Sequence, residues 1–372
     1  MQPGVMIINS ARKWIGEAAH CITLIEGLIN TGVTAILVCR RGYALEKAAA
    51  ESDIPHYSIR MKGNFTGIHD LMDLLAVRKI ILRNNIKVIH CHRGKDHWLS
   101  VAAARSLPLK KRPKIVRTRH VVVPVKRHFL NRLLYKYWTD RVIAVSEKAA
   151  SSLHGLPMKN DIAVIYASVD STRFSPEKRS EEMRRELGMD NGNSQAPLIG
   201  IVGRLQRIKG QAVFLRAAAK VSEFIPHAGF VIAGKGSDVK RRRLINLAEK
   251  IGVSEKLKIL GYTDNIESLI ASLDVGVIAS LGSEGSSRIC LEYMASGVPV
   301  VATRVGGIPE ILECGELGNI VEPGDSEELG TAVIRAFLNK YRSRNLADVA
   351  LQKARTFHSI DRFIQQTLEV YE

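Results

Sequence analysis

Two glutamates eight residues apart, Glu284 and Glu292, stand in the stretch Gly282-Ser-Glu-Gly-Ser-Ser-Arg-Ile-Cys-Leu-Glu-Tyr-Met-Ala-Ser-Gly297. The first falls in a glycine- and serine-rich loop. The second is expected about two turns into a helix, which Gly297 stops ahead of the apolar run 298–302. Between them the backbone N–H groups of residues 285–288 would form an anion cradle at the helix N-terminus. Ionised carboxylates accept hydrogen bonds from hydroxyls. An anion site flanked by two of them therefore suits a phosphate attached to a polyhydroxylated group. A nucleotide sugar is such a molecule.

Two further segments point the same way. Gly203-Arg-Leu-Gln-Arg-Ile-Lys-Gly210 follows the apolar run 198–202 and precedes a helical pattern. Arg204 can fork onto two oxygens of a diphosphate, and Lys209 adds a point charge. Taken alone, such a pair reads equally well as solvated surface; the downstream glutamates turn the reading toward phosphate. The segment Val231-Ile-Ala-Gly-Lys-Gly-Ser237 is a strand running into a Gly-x-Gly turn. Gly234 and Gly236 either let the backbone approach a base or ribose or simply let the chain leave the strand. Nicotinamide binding needs a third glycine where Val239 stands, which argues against a dehydrogenase.

The elements that must position these residues alternate along the whole chain. Short apolar, β-branched runs occur at 5–8, 34–39, 88–90, 114–118, 142–145 and 162–165. A second series follows at 198–202, 229–233, 257–260, 275–279, 298–302 and 319–321. The segments between have helical periodicity; in 17–30, Cys21, Ile22, Ile25, Leu28 and Ile29 line one face. Such alternation predicts parallel sheets covered by helices on both faces, an α/β class with two doubly wound, Rossmann-like domains. The break falls in 171–196, where Pro176, a charged stretch and the polar run 190–195 suit a linker with a short helix. The expected division is 1–172, a linker at 173–196, and 197–357, with a C-terminal helix near 358–372 returning to the first domain. Two such domains would face each other across a cleft, at the carboxyl ends of their strands.

With 372 residues the chain can form two cores, and its 46% hydrophobic content is that of an ordinary globular protein. No apolar stretch reaches the ~20 residues that span a membrane, and the start reads as a buried strand in place of a signal peptide. Five cysteines without a C-x-x-C pair predict reduced, mostly buried thiols in a cytoplasmic protein, where the sequon at 64–66 has no meaning. The net charge of +17 is concentrated: residues 78–141 hold eighteen Lys or Arg against two acids, Asp96 and Asp140. That surface could be mere solvated charge; its concentration favours an anionic partner such as membrane headgroups or a phosphorylated glycolipid. Nucleic acid fits less well, because aromatics are few and no recognition motif is present.

The second half resembles the retaining glycosyltransferases of family 4, the group 1 enzymes of GT-B fold, of bacterial lipopolysaccharide or cell-envelope type. The resemblance rests on Gly203-Arg204 with Lys209-Gly210, Ala233-Gly-Lys-Gly236, Leu260-Gly-Tyr262, and Glu284-Gly with Leu291-Glu-Tyr-Met-Ala-Ser-Gly-Val-Pro-Val-Val301. It continues through Ala302-Thr-Arg-Val-Gly-Gly-Ile-Pro-Glu310, Gly318 and Pro323-Gly-Asp325. In the first half it is thinner, resting on Gly16-Glu17, Ile165-Tyr-Ala-Ser-Val-Asp170 and Arg173-Phe174.

The resemblance implies roles by position. Glu292 would bind the ribose hydroxyls, Glu284 would contact the donor sugar near the reacting carbon, and Arg204 and Lys209 would neutralise the leaving diphosphate. Gly16 would let the first loop close over the donor, with Gly203, Gly234, Gly236, Tyr262 and Gly285 also on the donor side. His120, just past a strand end, would face the donor sugar. His90, His92 and Arg93 would line the acceptor side. A metal pair of histidines is not expected, as no further ligands stand at metal-site spacing. No Asp-x-Asp occurs, so a metal-independent reaction without cofactor is expected. The chain departs from the family where Ser286, Ser287 and Arg288 follow Gly285 in place of an aromatic and a glycine, which leaves the donor sugar open. The expected activity is transfer from a nucleoside diphosphate sugar to a lipid-linked, lipopolysaccharide or polysaccharide acceptor, by an enzyme held peripherally at the inner membrane face. The alternatives are a nucleotide-sugar epimerase of the same fold and a non-catalytic sugar-nucleotide or nucleic-acid binding protein. A cofactor-dependent phosphorylase would need a Schiff-base lysine that nothing marks.

Overall fold

The computed structural model describes residues 4–62, 67–187, 196–236, 239–261 and 263–372. Tyr262, the sequon at 64–66 and the polar run 190–195 lie outside the described residues. The chain forms two compact units, one running to Ala167 and including Ile360–Glu372, the other Ser168–Ser359.

The first unit begins β1 (Gly4–Asn9), α1 (Gly16–Asn30), β2 (Ala35–Arg40), α2 (Ala44–Glu51), β3 (His56–Ile59), α3 (Ile68–Arg83), β4 (Ile86–Cys91) and α4 (Gly94–Arg105). It continues with β5 (Lys114–Arg119), α5 (Phe129–Tyr137), β6 (Arg141–Ala144), α6 (Glu147–Ser151) and β7 (Ile162–Val164). The second holds α7 (Glu181–Glu186), β8 (Leu198–Val202), α8 (Gln211–Phe224), β9 (Gly229–Ala233), α9 (Arg241–Lys250), β10 (Leu257–Leu260), α10 (Ile266–Ala271) and β11 (Val275–Ile278). After these come α11 (Arg288–Ala295), β12 (Val300–Thr303), α12 (Ile308–Ile311), β13 (Asn319–Val321), α13 (Ser326–Leu338) and α14 (Lys340–Thr356). The last helix, α15 (Ile360–Tyr371), belongs to the first unit.

All strand pairings among the described residues are parallel, in the orders β3-β2-β1-β4-β5-β6-β7 and β10-β9-β8-β11-β12-β13. Each is a doubly wound Rossmann-like sheet. In β1, Met6 and Ile8 enter one core with Val38 and Ile89, while Val5 and Ile7 enter another with Leu37 and Ile25. Both faces are therefore dry, as the unbroken apolar runs require. Strand order reverses between β1 and β4 and between β8 and β11, and in such sheets ligands bind outside the carboxyl ends at that point.

Several local expectations shift. Strand β3 was not expected: its sequence His-Tyr-Ser-Ile is half polar and only partly buried, which suits an edge strand. Ile29 does not share the buried face of α1, being 37% exposed, whereas His20 does share it, at 5%. Strand β12 starts at Val300, two residues later than its apolar run, because Pro299 offers no N–H to a ladder. Residues 173–187, expected as linker, pack within the second unit, where buried Arg184 donates to the Ser272 carbonyl and to Asp274, each at 2.9 Å.

Candidate active site

In the second unit, the turn after β8 and the loop after β11 meet. Gly203 ends the strand and its N–H donates to the Ala233 carbonyl at 2.9 Å, which sets Gly203 beside Gly234; Leu205 forms an isolated bridge to Gly236. Partly buried Arg204 is held through its carbonyl, which accepts from Gln211 Nε2 at 2.8 Å. Lys209 leads into Gly210, whose φ of 71° and close fit admit only glycine: a Cβ there would lie 1.8 Å from the Ala279 carbonyl oxygen. That approach brings the start of α8 against the end of β11.

Glu284 is 5% exposed. Its Oε1 accepts from Lys209 Nζ and from Ser280 Oγ, the latter at 2.5 Å. Its carbonyl accepts the Gly307 N–H at 2.9 Å, and neighbouring Gly306 leaves room for that approach, since a Cβ would come within 1.6 Å of the same oxygen. The carboxylate thus takes two donors at one oxygen, with Lys209 as its counter-ion, while the Gly307 N–H holds the main chain of the same residue. Removing either partner leaves the other charge in a largely dry place.

Helix α11 begins at Arg288, so Glu292 stands one turn in, not two. The cradle shifts with it: the first turn of the helix offers the N–H groups of Arg288 and Ile289, since the Cys290 N–H already donates to the Ser287 carbonyl at 2.9 Å, and residues 285–287 are loop. Ser287 precedes the helix with φ 21°, and its buried Oγ has no hydrogen-bond partner among the described residues. Gly285 is buried and Ser286 partly buried in the same loop. Arg288 Nε lies 3.9 Å from Glu292 Oε1. Burial raises the Glu292 carboxyl, while Arg288 and Arg173 pull it back. The next residue, fully buried Tyr293, ties α11 to β8: its hydroxyl accepts the Val202 N–H at 3.0 Å and donates to the Gly200 carbonyl.

In the first unit, four histidines gather near the ends of β4 and β5. His92 Nδ1 and His120 Nε2 are 2.9 Å apart, and His90 stacks on His92 with ring centres 4.4 Å apart. His90 uses both nitrogens, with the Tyr371 hydroxyl at 2.7 Å and Thr118 Oγ1 at 2.5 Å. His20, from the second turn of α1, stands edge-on to His120 at 4.8 Å and to Phe363 of α15. Burial pushes His90, His92 and His120 well below the ordinary histidine value, with neighbouring histidines and Arg117 adding to the effect, so the rings are neutral. Sequence reading missed His20: on an apolar helix face it reads as a core residue, and nothing local announces neighbours some 70 and 100 residues away. Gly16 is the exposed first residue of α1, and Arg93, just before α4, reaches Glu17 at 3.4 Å. Burial raises the Glu17 carboxyl, and Arg93 opposes it. Asp96 is wholly buried and accepts the Ser10 N–H at 3.1 Å.

Residues 15–173 match the family model described as Glycosyltransferase Family 4, and residues 196–339 match that of the glycosyl transferases group 1. The chain is a group 1 glycosyltransferase. The enzyme is 26% identical over 309 residues to the N-acetyl-alpha-D-glucosaminyl L-malate synthase of Bacillus anthracis, covering 82% of this chain and 79% of that one. It is likewise 26% identical over 329 residues to the UDP-Gal:alpha-D-GlcNAc-diphosphoundecaprenol alpha-1,3-galactosyltransferase of Escherichia coli, covering 83% and 81%. In fold it resembles Anabaena HepE in complex with UDP and glucose, at TM-score 0.84 and 20% identity over 99% of each chain. A glycosyltransferase from Rickettsia africae gives TM-score 0.85 at 22% identity, covering 100% and 98%. The fold is therefore GT-B, with two Rossmann-like domains.

Proposed function

We propose that this glycosyltransferase moves a sugar, with retention of configuration, from a nucleoside diphosphate sugar to a hydroxyl of an anionic glycolipid or oligosaccharide acceptor. The observation that carries the donor half is the Lys209–Glu284 ion pair next to the N-terminus of α11, with a buried hydroxyl on Ser287 that has no partner among the described residues. A diphosphate would bring acceptor oxygens to Lys209, Arg204, Ser287 and the first N–H groups of α11, and Arg288 would add a second fork. Glu292 would take ribose hydroxyls, and Gly203, Gly234 and Gly236 would line the nucleotide. As the sugar–phosphate bond breaks, negative charge grows on the diphosphate where these donors already stand, which is preorganised electrostatic stabilisation. Glu284, buried and held near the same point, would offset positive charge on the sugar ring. Protein cations thus supply the charge neutralisation that a divalent ion supplies elsewhere, and the reaction as proposed uses no metal cofactor.

The acceptor half rests on the first unit, where His120, His92 and Arg93 would face the acceptor or the donor sugar. Its surface supports peripheral attachment to the inner face of the plasma membrane. Along α3, Ile68, Leu71, Met72, Leu75 and Leu82 are exposed, and Arg78, Lys79 and Arg83 line a shallow groove with Leu75 and Leu82. Apolar side chains rimmed by cations suit a surface of anionic lipid. No helix among the described residues is long and apolar enough to cross a membrane.

A panel of nucleoside diphosphate sugars in a thermal-shift screen tests the donor reading, followed by product analysis for anomeric configuration. One member should raise the melting temperature and be turned over with a lipid-linked acceptor. A flat response across the panel, or an inverted product, would overturn it. Sedimentation with vesicles tests attachment: binding should need anionic lipid at low salt and weaken in Leu71→Asp. Equal binding to neutral vesicles counts against it.

A further inference from the structure

We propose that His20, His92 and His120 form a zinc-type metal site with three imidazole ligands and an open fourth position, and that filling it opposes transfer. Each ring offers one nitrogen, and these three atoms lie within 4.8 Å of one another, the one such group among the described residues. The residues come from α1 and from the segments just after β4 and β5, so the fold, not a local motif, assembles them.

The unmet valence of the cluster points to a ligand. His92 is 1% exposed, and its Nε2 has no hydrogen-bond partner among the described residues. A buried ring nitrogen in that state is costly unless something fills it. Neutral imidazole is the form that ligates, and three imidazoles with one open position form a known zinc arrangement. Zinc holds nitrogen at about 2.0–2.1 Å, so neighbouring ligand atoms in a tetrahedron stand about 3.4 Å apart. With His92 Nδ1 engaged to His120 Nε2 at 2.9 Å, ligation through the open His92 Nε2 requires small ring rotations that bring one nitrogen of each ring, now within 4.8 Å of one another, to that spacing. His90 cannot be the fourth ligand, because Tyr371 and Thr118 occupy both its nitrogens; stacked on His92, it would instead steady that ring. Arg117 and Arg93 are the cations whose charge reaches His120 and opposes binding. Imidazole ligands select Zn²⁺, Co²⁺, Ni²⁺ or Cu²⁺ over the hard ions Mg²⁺ and Ca²⁺.

The inhibitory part rests on the proposed role of His120 toward the sugar: an imidazole bound to metal cannot also accept a hydroxyl proton or hydrogen bond. The site as proposed is therefore inhibitory to the reaction, not its cofactor.

Titrating the tag-free full chain with Co²⁺ tests the site directly. One equivalent should give the intense visible absorption of tetrahedral cobalt, Zn²⁺ should bleach it, and Mg²⁺ should not. His20→Ala should weaken Co²⁺ binding by about a hundredfold or more, since loss of a ligand outweighs loss of its hydrogen-bond partner. His20→Asn serves if the alanine variant does not fold. With the identified donor, Zn²⁺ should inhibit the native enzyme and spare His20→Asn, and chelator should restore turnover. A weak octahedral cobalt spectrum, or a tetrahedral one that persists in both variants, overturns the site. Tight cobalt binding with no effect on turnover overturns the inhibition alone. Because the spectrum needs no sugar nucleotide, failure of the donor reading leaves it decisive.

Discussion

The two Rossmann-like units place polar groups at the same topological position by different means. In the second unit the arrangement is set by backbone: Gly210 against the Ala279 carbonyl, and Gly306 against the Glu284 carbonyl, each so close that a single Cβ cannot fit. The ion pair of Lys209 and Glu284 is then carried on rigid turns. In the first unit the strand ends carry stacked imidazoles, held by one another and by the C-terminal helix through Tyr371. A backbone-built site tolerates no added atom but keeps its shape when a side chain is trimmed. A side-chain-built site has the opposite sensitivity.

The largest expected effect tests that contrast directly. Gly306→Ala should destabilise the protein by about 4 kcal/mol or more, as core overpacking at a special φ does, and should abolish turnover. His120→Ala should cost far less stability but loosen the His92 and His20 rings that it touches. Similar melting temperatures for the two variants would remove the distinction.

Next in size is the ion pair. Lys209→Ala and Glu284→Gln should each lower kcat by about 10²–10³, the range found when one preorganised group at the developing charge is lost. Non-additivity in the double variant would mark them as a unit. A purely additive result would break the reading of one shared site.

A smaller effect is expected at Glu292. Its replacement by Ala should raise KM for the sugar nucleotide by about 10- to 100-fold, the worth of a hydrogen bond to a charged group, with kcat changed less. A fall in kcat at constant KM would move Glu292 from the nucleotide to the reacting centre.

The smallest effect is on pH dependence, where the units should differ in sign. Burial holds His97 well below its ordinary 6.5, and its Nε2 meets Thr139 Oγ1 at 2.8 Å. The unfolded chain takes up that proton first, so the stability it contributes is complete above about 6.5 and is lost as pH falls below it. The neutral histidines near β4 and β5 add in the same direction. Glu292, raised above its ordinary 4.5, works oppositely: the unfolded chain loses the proton first, so stability falls as pH rises from 4.5 through the folded value. Hydrogen exchange in chelator, corrected for intrinsic rate, should therefore show protection in β4 and β5 weakening as pH drops below about 6.5 while β8 and β11 hold. Parallel changes in both sheets would contradict it.

The same contrast explains what could be read in the sequence. Strands β8, β9, β10 and β13 fall on the expected residues, because a dry parallel strand is a continuous apolar run with turn residues at its ends. Glycines that permit close backbone approach leave a local pattern, so Gly203, Gly210 and Gly234 stand out in the sequence. The sequence by itself determined the fold class, the two sheets and the residue types at the ends of β8 and β11, since these depend on local periodicity and short-range turn chemistry. Tertiary structure alone decided that Lys209 pairs with Glu284, that α11 starts late enough to put Glu292 one turn in, and that His20 joins His92 and His120. Those contacts depend on how helices settle on the sheet and which rotamers the packing leaves, and such information is spread over the whole chain.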